Sequence, residues 1–279
     1  MELTFQRWGF KNDMKQERIL FLHGMGGTGA LWRPIAAVLE DEFDILAPDQ
    51  RGHGGSRLPH VPGGRDGGAN YTPLDYGRDL ADLTEKLNFY PTFVVGHSMG
   101  VRSACAFAHL KPTWIKGLVV VDLGFSGAAG GGLGDDLGNF IKILPTEFPS
   151  REEARVFMAA NCPDPAIAQY LLAVSQRDAD GQTFFPFDHA ALLATIEAAK
   201  NTSVRQWVKE LGAASIPILI LRGVKSLVWS HEEFLKEKEN FRLHPSVHFE
   251  EVEGTGHGLP YEKRSWFIDR LKKFARENS

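Results

Sequence analysis

Phe93-Val-Val-Gly-His-Ser-Met-Gly100 is an apolar run that ends in a serine flanked at two-residue spacing by glycines, and the fold follows from how it is read. Phe93, Val94 and Val95 read as a short buried strand, and Gly96 and Gly100 permit a turn too tight for side chains at those positions. Ser98 then stands at the apex with an exposed hydroxyl. Val101-Arg-Ser-Ala-Cys-Ala-Phe-Ala-His-Leu110 is alanine-rich and reads as a helix, whose first N–H groups point back at the serine and favour developing negative charge. A Gly-x-Ser-x-Gly turn also occurs without chemistry; the strand before it and the helix after it are what make Ser98 a candidate nucleophile.

Upstream, Leu3–Trp8 alternates apolar and polar residues, as an edge strand of an antiparallel pair does, and a charged turn over 11–17 leads to the buried strand Arg18-Ile-Leu-Phe-Leu22. That strand runs into His23-Gly-Met-Gly-Gly-Thr-Gly29, a helical stripe over Ala30–Leu39 and the strand Phe43–Ala47. Glycine and proline mark a surface loop between Arg51 and Asn70. Thr72 caps the next helix, with Pro73 at its first position. Downstream, Ile115–Val121 is a buried strand with Asp122 at its end. Residues 124–138 are glycine-rich, and 139–213 show helical patterns with many aromatics but no strand signal. Strands return at Pro217–Gly223 and Val247–Glu253, with helices near His231–Asn240 and Tyr261–Ala275. Strand–helix alternation interrupted once predicts an α/β fold: a mostly parallel sheet with helices on both faces, built from 1–123 and 214–279, with a helical lid at 124–213 inserted after Asp122. Gly127–Gly134 would let the lid move, and Phe125, Phe140, Phe148, Phe157, Tyr170, Phe184, Phe185 and Phe187 suit it to an apolar pocket, most of them as lid core.

The chain has 279 residues, 43% of them hydrophobic, and a formal charge of -4 with scattered basic residues, which argues against a nucleic-acid footprint and for a small, neutral or weakly charged substrate. The first residues lack a signal-peptide pattern and no apolar run spans a bilayer, so a cytoplasmic protein without stable membrane association is expected. The composition leaves the oligomeric state open. Cys105 and Cys162 read as free thiols. His244 and His248 are four apart, but Pro245 breaks any helix there, and no metal site is expected.

Gly24-Met-Gly-Gly-Thr-Gly29 satisfies G-x-G-x-x-G and precedes Asp49 at the end of the next strand, so on spacing alone it competes as a dinucleotide site. Against this stand His23-Gly24 and Asp49-Gln-Arg-Gly-His-Gly-Gly-Ser56, which, with the serine turn, resemble the α/β-hydrolase superfamily, and among its members serine esterases with a small helical cap. The resemblance covers nearly the whole chain outside the lid. It implies that the turn at Ser98 is a nucleophile elbow, that the N–H groups of Met25 and Met99 form an oxyanion hole, and that no cofactor is needed. A dinucleotide site would leave Ser98 and His257 without purpose. Asp49 and Arg51 are expected to pair or bond to loop backbone, and His23, His53 and His97 to support turns.

His257 lies in Glu253-Gly-Thr-Gly-His-Gly258, between the last strand and the last helix, at the sheet edge where the serine turn opens, and is the candidate base. For the carboxylate behind it two places stay open. Many members of the superfamily carry the acid after the strand corresponding to Pro217–Gly223, where this chain has Ser226 and no Asp or Glu nearer than Glu232 and Glu233. Some carry it after the strand that ends here at Asp122. Asp122 follows four buried apolar residues and needs a donor, whereas Glu232 and Glu233 are explained as the acidic start of a helix capped by Ser230. The expectation is a serine hydrolase acting on a carboxylic ester with a small or medium acyl chain through Ser98, His257 and Asp122. Thioesterase, lactonase, C–C hydrolase and cofactor-free haloperoxidase use the same residues, and a ligand receptor on a nearly idle hydrolase fold is the alternative from another class.

Overall fold

The computed structural model describes residues 2–10, 17–57, 70–127 and 133–279. The charged turn at 11–16, most of the loop between Arg51 and Asn70 and most of the Gly127–Gly134 stretch lie outside the described residues. In chain order come β1 (Phe5–Trp8), β2 (Glu17–Leu22), α1 (Arg33–Leu39), β3 (Phe43–Pro48), α2 (Pro73–Lys86), β4 (Phe93–His97), α3 (Met99–Leu110) and β5 (Gly117–Val121). An inserted stretch follows, with α4 (Leu133–Ile143), β6 (Glu147–Phe148), α5 (Arg151–Asn161), α6 (Pro165–Val174), β7 (Gln176–Arg177), β8 (Thr183–Phe184) and α7 (His189–Lys200). The chain returns through α8 (Arg205–Ala213), β9 (Ile218–Gly223), α9 (His231–Asn240), β10 (Val247–Val252), α10 (Leu259–Glu262) and α11 (Arg264–Glu277).

Seven strands form one sheet in the order β1-β3-β2-β4-β5-β9-β10, with β1 antiparallel to β3 and every other pairing parallel. Side chains alternate along a strand, so the central strands feed two cores. Leu20, Leu22, Val94, Leu118, Val120 and Ile220 pack on one face against α2, α3, α8 and α9. Phe21, Val95, Val119, Val121, Leu219 and Leu221 pack on the other against α1 and α11. That double burial is why β4 and β5 are apolar on both faces and lack the alternation of β1. Thr72 and Asp75 form a reciprocal capping box with Pro73 in the first turn of α2, which settles its start without tertiary help.

Phe140, Phe148, Met158, Leu171, Phe185 and Leu192 gather into a separate apolar cluster within the inserted stretch. Phe125, at its beginning, packs with the sheet, as do Val204, Val208 and Leu211 just before β9. The three strands of the insertion form a small antiparallel sheet in the order β6-β8-β7. Nothing in the residue pattern signals it, because two residues per strand are too few to display a period of two. Both cysteines are free thiols, Cys105 buried in α3. Among the described residues no helix is long and apolar enough to cross a membrane.

Since β2, β4, β5, β9 and β10 run parallel, their C-terminal ends open on one edge of the sheet. The residues that follow them there are His23 and Gly24, Ser98, Asp122, Ser226 and His257, brought together from positions up to 234 apart in sequence (257 − 23).

Candidate active site

Ser98 links β4 to α3 with φ 54° and ψ -126°, a left-handed conformation that costs a residue with a side chain about 1–3 kcal/mol. The turn is held by Ser98 N–H donating to the Val121 carbonyl at 3.0 Å and Val101 N–H donating to the Ser98 carbonyl at 2.8 Å. It admits no side chain at its flanks. A Cβ on Gly96 would meet the Gly100 carbonyl oxygen at 2.4 Å, and one on Gly100 would meet the Leu22 carbonyl oxygen at 2.4 Å. The two glycines of the motif are therefore fixed by close backbone approach.

His257 Nε2 lies 2.9 Å from Ser98 Oγ, and its Nδ1 lies 2.7 Å from Asp122 Oδ2. A carboxylate accepts only, so Nδ1 carries the proton and bare Nε2 accepts from the serine hydroxyl. Asp122 is fully buried, with φ 55°. Its Oδ1 accepts from Gly223 N–H at 2.9 Å and its Oδ2 also accepts from the Ser226 hydroxyl. Ser226 Oγ in turn accepts from Val228 N–H at 3.2 Å. The loop after β9 thus supplies donors to the carboxylate rather than a carboxylate of its own. Glu233 closes a capping box with Ser230 at the start of α9, and Glu232 is exposed. His97 holds the base in place from below: its Nε2–H donates to the His257 carbonyl at 2.7 Å. Burial, reinforced by the neighbouring His257, pushes His97 down to about 3, so it stays neutral.

Met99 is the first residue of α3, where an N–H has no intrahelical acceptor. Met25 sits in the loop after β2, and among the described residues its N–H takes no part in the loop's backbone hydrogen bonds. Gly24 adjoins the serine closely enough that a Cβ there would touch Ser98 Cβ at 3.1 Å. The glycine-rich loop is wired internally. Gly27 N–H donates to the Gly24 carbonyl at 3.0 Å, and Gly29 N–H donates to Asp49 Oδ1 at 2.7 Å. Asp49 Oδ2 takes Gly55 N–H at 2.9 Å and the Thr4 hydroxyl at 2.9 Å. A carboxylate thus occupies the ground that a dinucleotide phosphate would need, and would repel one. Arg51 forms a two-pronged pair with Asp79, at 2.7 and 2.9 Å. Both residues of that loop therefore hold structure, as their sequence context implies.

Above Ser98 lies an apolar cavity of about 40 Å³, walled by Met25 and, from the inserted stretch, Leu137, Ile141, Ile167, Leu171 and Leu192. A far larger recess of about 850 Å³ between α9, β10 and α11 is remote from Ser98 and lined largely by charged side chains. Among the described residues no group of His, Cys, Asp or Glu is placed to hold a metal ion. Two contributors have no signature in the sequence. Ser226 is a serine among loop residues, and Tyr170, whose hydroxyl donates to the Gly24 carbonyl at 3.2 Å, is one aromatic among many in a helical stretch.

A family model described as alpha/beta hydrolase fold matches residues 17–159. The 2-(acetamidomethylene)succinate hydrolase of Mesorhizobium japonicum is 27% identical to the chain over 254 residues, covering 86% of this chain and 81% of that protein. The sn-1-specific diacylglycerol lipase of Mus musculus is 27% identical over 272 residues, covering 94% and 82%. Among solved structures, E-2-(acetamidomethylene)succinate hydrolase superposes with a TM-score of 0.77 at 24% identity, over 99% of this chain and 100% of that one. A marine microorganism esterase superposes with a TM-score of 0.75 at 22% identity, over 98% and 99%. With the family model spanning half of the sequence, and the strained serine turn at the carboxyl edge of a parallel sheet, the chain belongs to the alpha/beta hydrolase fold family.

Proposed function

We propose that this protein is a serine hydrolase that cleaves carboxylic esters with a small or medium acyl chain through an acyl-enzyme on Ser98. One observation carries the reading: the continuous hydrogen-bonded chain from Ser98 Oγ through the His257 ring to Asp122, with its proton positions fixed by the carboxylate. Ser98 Oγ attacks the ester carbonyl carbon while its proton passes to His257 Nε2, and the carbonyl oxygen becomes an oxyanion held by the N–H groups of Met25 and Met99. The imidazolium, stabilised by Asp122, then protonates the departing alkoxide, and the alcohol leaves. Water enters, gives a proton to Nε2 and attacks the acyl carbonyl. Collapse of the second tetrahedral intermediate returns the proton to Ser98 and frees the acid.

The insertion acts in this proposal as a lid over 124–213, whose α4, α6 and α7 wall the cavity above the serine. Its small, apolar volume favours an uncharged acyl group of few carbons, and relatives named as esterase or lipase support the reaction class. Covalent labelling by a fluorophosphonate, mapped by mass spectrometry, is expected on Ser98, with loss of both labelling and ester turnover in Ser98→Ala. Turnover within about tenfold of the parent in that variant would remove the nucleophile. A folded parent that neither turns over short esters nor takes the label would instead fit a ligand receptor.

A further inference from the structure

We infer that Tyr170 is a positioning residue of the oxyanion hole, acting from the inserted stretch on the peptide whose N–H is the first donor. The inference rests on Ser98 as nucleophile and Met25 N–H as an oxyanion donor. Gly24 C=O and Met25 N–H belong to one planar peptide unit, so whatever holds the carbonyl orients the N–H.

Three donors converge on that carbonyl: Gly27 N–H at 3.0 Å, His23 Nδ1 at 2.8 Å and the Tyr170 hydroxyl at 3.2 Å. Gln50 settles the role of His23. Its N–H donates to His23 Nε2 at 3.0 Å, which leaves the ring proton on Nδ1, and burial keeps the imidazole below its ordinary range and so neutral. Two of the donors, His23 and Gly27, come from the loop after β2. The third comes from α6, whose Leu171 belongs to the insertion's own cluster and not to either sheet core. The site is built to receive it. A Cβ on Gly27 would come within 2.0 Å of the Tyr170 oxygen, so glycine is required there for the hydroxyl to reach the carbonyl. The Tyr170 ring is held by His97 and Tyr261, with centroids at 6.1 Å from each. Burial raises its phenol well above the ordinary value, so it remains a donor.

A trans peptide sets N–H opposite C=O, and donation to the oxygen draws charge towards it and leaves the N–H a stronger donor. The Tyr170 bond therefore does two things: it stiffens the peptide and sharpens its N–H for the charge that develops in the transition state. It also makes the docked insertion a condition of a complete oxyanion hole. Deleting a direct oxyanion donor costs about a hundredfold to a thousandfold in kcat, and a group acting through the donor costs less.

The test is Tyr170→Phe, which keeps the ring. A short activated ester gives kcat and KM, a trifluoromethyl ketone that forms a tetrahedral adduct on Ser98 gives Ki, and thermal unfolding gives Tm. The expected result is a kcat lowered about tenfold, KM within about twofold, Ki raised by the same factor as kcat falls, and Tm nearly unchanged. An unchanged kcat overturns the inference. A change confined to KM, or a loss that follows the acyl group and spares the ketone, also overturns it and makes Tyr170 a substrate contact. A parent with neither turnover nor Ser98 labelling removes the nucleophile reading, and the inference with it; a parent that has both leaves the variant to decide.

Discussion

Asp122 and Ser98 are two of the four non-glycine residues with positive φ among the described residues, and one hydrogen-bonded histidine joins them. Strain at both ends of that chain is expected where function fixes side-chain direction against local preference. If Asp122 serves by holding the imidazole proton on Nδ1 and stabilising the imidazolium, Asp122→Asn lowers turnover by about three to four orders of magnitude, while Glu232→Gln and Glu233→Gln leave it nearly unchanged. A side-by-side kinetic comparison with the opposite ranking would move the acid to the loop after β9. Ser226→Ala leaves Gly223 N–H and the histidine on the carboxylate, and about a tenfold loss is expected from the missing donor. Ser98 and His257 were legible in the sequence because each sits in a local pattern of glycines at a strand end. Asp122 was one of two places left open for the carboxylate, favoured by its position after a buried strand. Ser226 and Tyr170 were not legible, since their roles arise from neighbours 104 and 146 positions away.

At the level of elements, β3, β4, β5 and β9 were readable because each is a run of five or six residues buried on both faces, and α2 and α9 because a cap and apolar spacing coincide. The two-residue strands of the insertion carry no such signal. The loop after β2 fits two readings by spacing; its sequence neighbours favour the hydrolase reading, and the placement of Asp49 against Gly29 N–H supports that choice. Millimolar NAD or NADP is accordingly expected to leave Tm unchanged; a saturable rise of several degrees would show binding and reinstate the dinucleotide reading. The helices of the insertion make a sharper prediction. Ile141 of α4 is fully buried and walls the cavity above Ser98, so Ile141→Ala lengthens the space available to an acyl chain. The ratio of kcat/KM for a butyl over an acetyl ester is expected to rise about tenfold, one to two methylenes being worth roughly that factor in an apolar pocket. An unchanged chain-length profile in a variant that retains acetyl-ester turnover would place the acyl group elsewhere. Ile141→Val, a smaller loss of packing, should move the profile the same way by less.

Taken as a whole, and among the described residues, three imidazoles, His23, His53 and His97, are buried beneath the carboxyl edge of the sheet with no carboxylate bonded to them. His53 and His97 are pushed down to about 3, first by burial and then by the nearby rings of His23 and His257 respectively, and burial lowers His23 as well. These rings are bonded as neutral groups, His23 accepting from Gln50 N–H and His97 donating one proton to a carbonyl. Their effect on stability has a definite sign. Above the ordinary value near 6.5 both folded and unfolded chains hold them neutral, and nothing is gained or lost with pH. Between there and about 3 the unfolded chain takes up protons that the folded chain refuses, so stability present above 6.5 is lost as pH falls. His53 and His97 each contribute about 1.4 kcal/mol per pH unit in that window, or about 2 kcal/mol by pH 5, against a total stability of about 5–15 kcal/mol. Denaturant titrations at pH 8, 6.5 and 5 are expected to give a midpoint that is flat over the first interval and drops over the second, with an unchanged slope m. His53→Gln removes one of the two strongly shifted rings without touching Ser98, His257 or Asp122, and its loss between pH 6.5 and 5 is expected to be smaller than the parent's by about 2 kcal/mol. A parent whose midpoint stays level down to pH 5, or a variant that falls as steeply as the parent, would mean that these histidines find protons or water in the folded state and are not the source of its acid sensitivity.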